Sequence, residues 1–125
     1  MTIPPRIYIS GPMTGWPNLN REAFDAAEAR LRGNGWFVIN PHRLSAEFGT
    51  PKDLADSFAC LYGGKSQVGS QTGELAREVL NADLAAVRSC DAICLLRGWE
   101  RSKGAKKELA EALAHGLEIV LEEEV

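Results

Sequence analysis

Apolar residues in this 125-residue chain fall in short blocks, separated by stretches where they recur at helical spacing. The run Arg6–Ser10 (RIYIS) is β-branched and aromatic and stops at Gly11 and Pro12, which predicts a strand that delivers a loop. Asn20 can then cap a helix whose Phe24, Ala27 and Leu31 share one face and which ends at Gly33-Asn34-Gly35. Residues 36–39 make a second strand, closed by Pro41. The segment 41–72 is broken by glycine and proline and offers one short helix over 53–61. Residues 74–87 predict a helix with Leu75, Val79, Leu80 and Val87 on one side, and 92–96 form a continuous apolar strand directly after it. A last helix over 105–115 ends at Gly116, and 117–121 supply a fourth strand.

Continuous apolar strands separated by amphipathic helices indicate a parallel sheet covered on both faces. The expected fold is therefore α/β: a single three-layer doubly wound domain, Rossmann or flavodoxin-like, with four or five parallel strands and right-handed crossovers. Composition agrees, since 45% hydrophobic and 25% charged residues are ordinary for one globular domain and exclude disorder throughout. No stretch reaches the ~18 apolar residues that span a bilayer, and no signal peptide opens the chain, so no membrane partner is expected. Cys60, Cys90 and Cys94 lack metal or disulfide spacing, which suggests reduced thiols, a cytoplasmic location and neither a metal nor another cofactor. The net charge of -3 resides in Glu122, Glu123 and Glu124; without them the two signs balance at fourteen each. A nucleic-acid strand is therefore not an expected partner for so neutral a body.

In open parallel sheets ligands bind beyond the carboxyl ends of the strands. Two loops qualify. Gly11-Pro12-Met13-Thr14-Gly15 leaves strand one with two glycines that permit a sharp turn and close backbone approach, or is an ordinary strand-to-helix connection. Residues 97–107 (RGWERSKGAKK) place Ser102 and Gly104 beside a helix N-terminus among Arg101, Lys103, Lys106 and Lys107, which suits an anion or is a solvated basic turn.

Glu108 shares a helical stripe with the small Ala105 and Ala112 and sits in the first predicted turn, where the dipole and flanking cations would hold it as a nucleophilic carboxylate. The alternative is a surface residue complementing the dipole. Asp83 lies on the apolar side of its helix with Val79, Leu80 and Val87, where a carboxylate needs a partner or a ligand. Asp91 reads as a turn residue, His42 as a loop residue and His115 as a helix C-terminal cation. Trp16 and Trp99 sit in the two loops, where either could stack on a nucleobase or be part of the core.

Taken together, Tyr8-Ile9-Ser10-Gly11-Pro12-Met13-Thr14-Gly15, Asp83-Leu84, Cys90-Asp91-Ala92 and the run from Ser102 to Leu109 resemble the nucleoside 2-deoxyribosyltransferase superfamily, which includes 2'-deoxynucleoside 5'-phosphate N-hydrolases. The resemblance is strongest to a bacterial and phage branch of unknown function with a YISGPMTG start, and it is weakest over 41–72. It implies that Glu108 is the nucleophile, that Asp83 orients it or protonates the departing base, and that Tyr8 and Ser102 contact the reacting group and a phosphate. Gly11, Met13, Thr14, Gly15, Trp16, Lys103 and Gly104 would complete the substrate site. Pro12 and Thr14 stand where the monophosphate hydrolases carry hydrogen-bonding Ser and Arg, so lysines would take over those contacts.

By that resemblance the chain cleaves or transfers the N-glycosidic bond of a nucleoside or nucleotide. Two other functions fit the same residues: a nucleotide-binding module without turnover, and cleavage of a dinucleotide such as NAD. So small a domain leaves little protein to roof a ligand, and relatives complete their sites across subunits. A homo-oligomer is expected, with 41–72 as lid or interface.

Overall fold

Strands β1 (Arg6–Ser10), β2 (Phe37–Ile39), β3 (Ala92–Leu95) and β4 (Glu118–Leu121) lie parallel in one sheet, in the order β2-β1-β3-β4. The computed structural model describes residues 3–13, 15–45 and 71–125. Ile7 sits between Val38 of β2 and Ala92 of β3, and Cys94 pairs with Val120 of β4. The helices are α1 (Arg21–Gly33), α2 (Pro41–Ser45), α3 (Gln71–Arg88) and α4 (Lys103–Ala114). The protein is thus an α/β domain of the doubly wound kind. The short helix anticipated over 53–61, and most of the segment expected to act as lid or interface, lie outside the described residues.

The two-residue period of a strand sorts β1 between two cores. Ile7 and Ile9 face α1, where they pack with Phe24, Ala27 and Leu31; β3 adds Ala92 and Cys94 to the same face. Tyr8 turns to the other side and joins Val87 of α3, Ala112 of α4, Ile93 and Leu95. Burying each large aliphatic or aromatic side chain stabilises the fold by about 1.5–3 kcal/mol. On α3 the anticipated inward residues that are described are Leu80, half-buried, and Val87, fully buried. Cys90 and Cys94 are buried free thiols, and burial pushes the Cys94 thiol up to about 12, which leaves it protonated and unreactive.

α1 begins differently from the sequence expectation. Asn20 occupies the cap position, but its φ is 62° and its side chain makes no capping bond; Nδ2 donates to the Pro12 carbonyl at 2.9 Å instead. Asn18, Leu19 and Asn20 are all left-handed, with φ of 52°, 54° and 62°. Leu19, for which that conformation is costly, is buried. The turn directs the chain from the first loop into α1 and ties its last residue back to that loop.

At the other end of α1, the buried Glu28 takes two bonds from Arg43 of α2, both at 2.9 Å, and pairs with Arg32 at 3.2 Å. Asn40 Nδ2 reaches Glu28 at 3.2 Å and Asp25 at 3.0 Å, while its Oδ1 accepts the His42 N–H. These contacts fasten α2 to α1, and the Arg43 bonds hold the Glu28 carboxyl below its usual range. His42 belongs to α2 and is buried edge-on against Phe24, with ring centroids 4.8 Å apart. Asp91 is the turn residue expected, and its Oδ2 accepts the Arg6 N–H at 2.9 Å. The three final glutamates form a 3-10 turn, Glu122–Glu124, rather than a loose acidic tail; Glu122 accepts the Arg97 N–H at 2.9 Å.

Candidate functional site

From β1 the chain passes outward to β2 and then crosses back to β3, so strand order reverses between β1 and β3. The two strands stay paired to their ends, but the connections that follow them leave in opposite directions, which makes the crevice where ligands bind in open α/β sheets. A cavity of about 650 Å³ occupies that place. The loop after β1 supplies Gly11, Pro12, Met13 and Trp16; the loop after β3 supplies Arg97, Gly98, Arg101 and Ser102. Leu80 and Asp83 of α3 and Lys103, Gly104, Ala105 and Glu108 of α4 close the remaining sides.

α4 starts earlier than its apolar pattern suggests, because Ser102 caps it by accepting the Ala105 N–H at 3.1 Å. Glu108 therefore lies in the second turn, not the first. Lys106 and Lys107 are exposed and do not line the cavity, whereas Glu108 faces inward and is 7% exposed. The expectation that dipole and neighbouring lysines would keep Glu108 ionised is thereby corrected. Burial dominates and pushes its carboxyl up to about 7, against the opposing pull of hydrogen bonds from Tyr8 and Ser10.

Those two hydroxyls grip both carboxylate oxygens. Tyr8 donates to Oε2 at 2.5 Å and Ser10 to Oε1 at 2.7 Å. Both project from the same face of β1, and both are fully buried. Asp83, 5% exposed, is the third member of the group. Burial, then the Glu108 charge, raise its carboxyl well above the ordinary range, while a Tyr8 hydrogen bond pulls it down. Burial and the same two acids push the Tyr8 hydroxyl up, so it stays protonated. Among the described residues, Asp83 Oδ1 has no hydrogen-bond partner. A neutral acid beside a bracketed carboxylate can transfer a proton while its neighbour attacks.

The structure thus brings Tyr8, Asp83 and Glu108 together, and Gly11, Met13, Trp16, Ser102, Lys103 and Gly104 line the same space. Gly15 is exposed at φ 86° and does not line the cavity; Thr14 lies outside the described residues. The tryptophans separate: Trp16 walls the cavity, and Trp99 packs against the second core. Ser102 uses one of its two oxygen lone pairs on the helix cap and keeps its hydroxyl hydrogen and the other lone pair for a ligand. Ser10 was missed by sequence reasoning. The available signal was a lone hydroxyl two residues beyond Tyr8 in an otherwise apolar strand.

Gly11 has a structural reason besides ligand approach. A Cβ there would lie 2.7 Å from Leu96 Cβ, a contact that only backbone movement can relieve. Gly11→Ala is expected to cost about 1–3 kcal/mol by overpacking and to displace the β1 loop. Urea denaturation at pH 7 checks this, and an unchanged midpoint would remove the explanation.

A parallel α/β domain with two buried acids at its strand-order reversal is the class defined by this geometry. The chain belongs to the family described as a domain of unknown function (DUF4406), whose model matches residues 5–62 and 67–121. No curated protein matches it.

Proposed function

We propose that the cavity takes a nucleoside or nucleotide and that Glu108 cleaves or transfers its N-glycosidic bond. The observation that carries this reading is the bracketing of Glu108 by Tyr8 and Ser10 next to Asp83. A carboxylate fixed at both oxygens cannot rotate away from an electrophile, and forming the geometry in advance removes part of the entropic barrier. In the proposed reaction a Glu108 oxygen bonds to C1' as the C1'–N bond breaks. The bond's electron pair leaves with the base, which receives the Asp83 proton. Water, or another base, then attacks C1' from the opposite side, the ester electron pair returns to Glu108, the nucleophile's proton goes to Asp83, and configuration is retained overall.

The walls suit the two ends of such a ligand. Trp16 offers an apolar face to a base, while Arg97, Arg101 and Lys103 at the margin favour an anionic substituent. The volume lies within the range of about 300–1,000 Å³ usual for small-molecule sites. A 2-deoxy sugar suits the mechanism, because it lacks the electron-withdrawing hydroxyl that opposes oxocarbenium character.

The test is release of free base from 2'-deoxynucleosides, their 5'-monophosphates and NAD, followed by chromatography against Glu108→Ala. Release that depends on Glu108 supports the proposal, and kcat/KM should rise with pH through a midpoint near the Glu108 value of about 7. No release from any of these, together with nucleotide-induced thermal stabilisation retained in Glu108→Ala, would replace catalysis by a binding module.

A further inference from the structure

Two buried acids meet around one tyrosine hydroxyl, and proton counting limits what they can do. Tyr8 has a single hydroxyl proton, which it donates to Glu108 Oε2. That proton is committed to Glu108, so Tyr8 has none left for the buried Asp83, whose Oδ1 has no hydrogen-bond partner among the described residues. Around Tyr8 alone the arrangement is symmetric: the carboxyl proton could reside on either acid, with the tyrosine turned toward the other. Ser10 breaks the symmetry. Its Oγ, fully buried, lies 2.7 Å from Glu108 Oε1, and Asp83 Oδ1 has no matching donor among the described residues.

We propose that Ser10 is the positioning residue that assigns the two acids their roles, fixing Glu108 as the carboxylate and Asp83 as the proton carrier. Tyr8 and Ser10 then donate to the two oxygens of the Glu108 carboxylate, and Asp83 keeps the carboxyl proton. Two donors delocalise and stabilise charge on Glu108, whereas Asp83, deeply buried and beside that charge, is held neutral. Asp83 and Glu108 both line the cavity, and the Asp83 oxygen that lacks a partner is itself buried, where a neutral carboxyl is less costly than a charge. As Glu108 loses its charge by forming an ester, Tyr8 is released to turn its proton toward the Asp83 carboxylate left by proton donation. For turnover, this inference rests on the glycosidic reading; the assignment of the proton in the unliganded protein does not.

Arg97, Glu100, Arg101 and Lys103 line the same cavity at its margin, and the Cys90 thiol, beside Tyr8, is pushed up by burial. All remain when Ser10 is replaced, so a Ser10 variant isolates the one hydrogen bond.

The experiment is side-chain carboxyl 13C NMR of the ligand-free full chain across pH, with the two resonances assigned by their loss in Glu108→Gln and Asp83→Asn. In the unsubstituted protein Glu108 is expected to titrate below Asp83. In Ser10→Ala its midpoint should move up by about one unit, a tenfold change in proton affinity, and that of Asp83 should move down. Ser10→Cys, close in volume and a weak donor, should give a smaller shift in the same directions and serves where the alanine variant does not fold. Glu108 titrating above Asp83 in the unsubstituted protein, or unchanged midpoints in a folded Ser10 variant, would overturn the assignment. Since no substrate is involved, failure to find base release leaves this measurement intact. Where release is found, Ser10→Ala should lower kcat about fivefold at pH 7 with little change in KM, since the ionised fraction of a group at about 7 falls by that factor on a one-unit rise, and raising the pH should recover most of the loss.

Discussion

Glu108→Gln is expected to melt higher than the unsubstituted protein at pH 8 while losing base release by at least about a thousandfold. The catalytic loss follows because an amide is a poor nucleophile and the covalent route closes with it. The gain in stability follows from the cost of burying charge. Glu108 has an ordinary value of 4.5 when unfolded and about 7 when folded, so the folded state binds the additional proton between those limits. Its contribution is therefore unfavourable above pH 7, shrinks as pH falls, and vanishes near 4.5. At 1.36 kcal/mol per unit the full penalty is about 3 kcal/mol. Gln retains one acceptor for Tyr8 or Ser10, and about 1–2 kcal/mol of that should be recovered, or several degrees in melting temperature. Melting curves of both proteins from pH 4.5 to 8 decide it: they should converge at the acid end. Parallel curves would mean that Glu108 is not a strained charge, whatever its part in turnover.

Glu28→Ala should act with the opposite sign and nowhere near the cavity. Glu28 is buried, yet Arg32 and Arg43 are about 60% exposed, so removing the carboxylate returns both cations to water rather than stranding them. The expected cost is about 2 kcal/mol, below the 3–5 typical when a fully buried pair is broken. Arg43 holds the Glu28 carboxyl below 4.5, so this stability is present above the unfolded value and is lost as pH falls through the folded one. Denaturation midpoints should differ clearly at pH 7 and draw together as the pH falls progressively below the unfolded value of 4.5. Unlike Glu108→Gln, the substitution should leave base release in the folded protein unchanged.

Much of the architecture was written in local patterns. The β-branched and aromatic run RIYIS and the apolar run 92–96 located the central strands, and small shifts at the ends of elements came from caps rather than from periodicity. Ser102 moved the start of α4, and with it Glu108 from the first turn to the second. Asn20 has the chemistry of a cap but serves the Pro12 carbonyl, a partner eight residues back that no helical pattern reveals. The candidate site was legible to the extent that Tyr8, Asp83 and Glu108 could be named. What made Glu108 unusual was not. Its burial depends on β1, α3 and α4 converging, whereas sequence reasoning weighed the nearest charges in the chain. Gly11 shows the same limit, since the Leu96 contact that excludes a side chain there joins residues far apart in sequence.

The left-handed turn at Asn18, Leu19 and Asn20 has a consequence for how the molecule breathes. Each such residue other than glycine costs about 1–2 kcal/mol, less for asparagine, and the turn is held by Leu19 burial and by the Asn20 tether to Pro12. Opening it returns that energy, so residues 16–20 should exchange their amide hydrogens well before β1 does. The wall that carries Trp16 is then expected to open locally and admit a ligand while the two cores of the sheet stay shut.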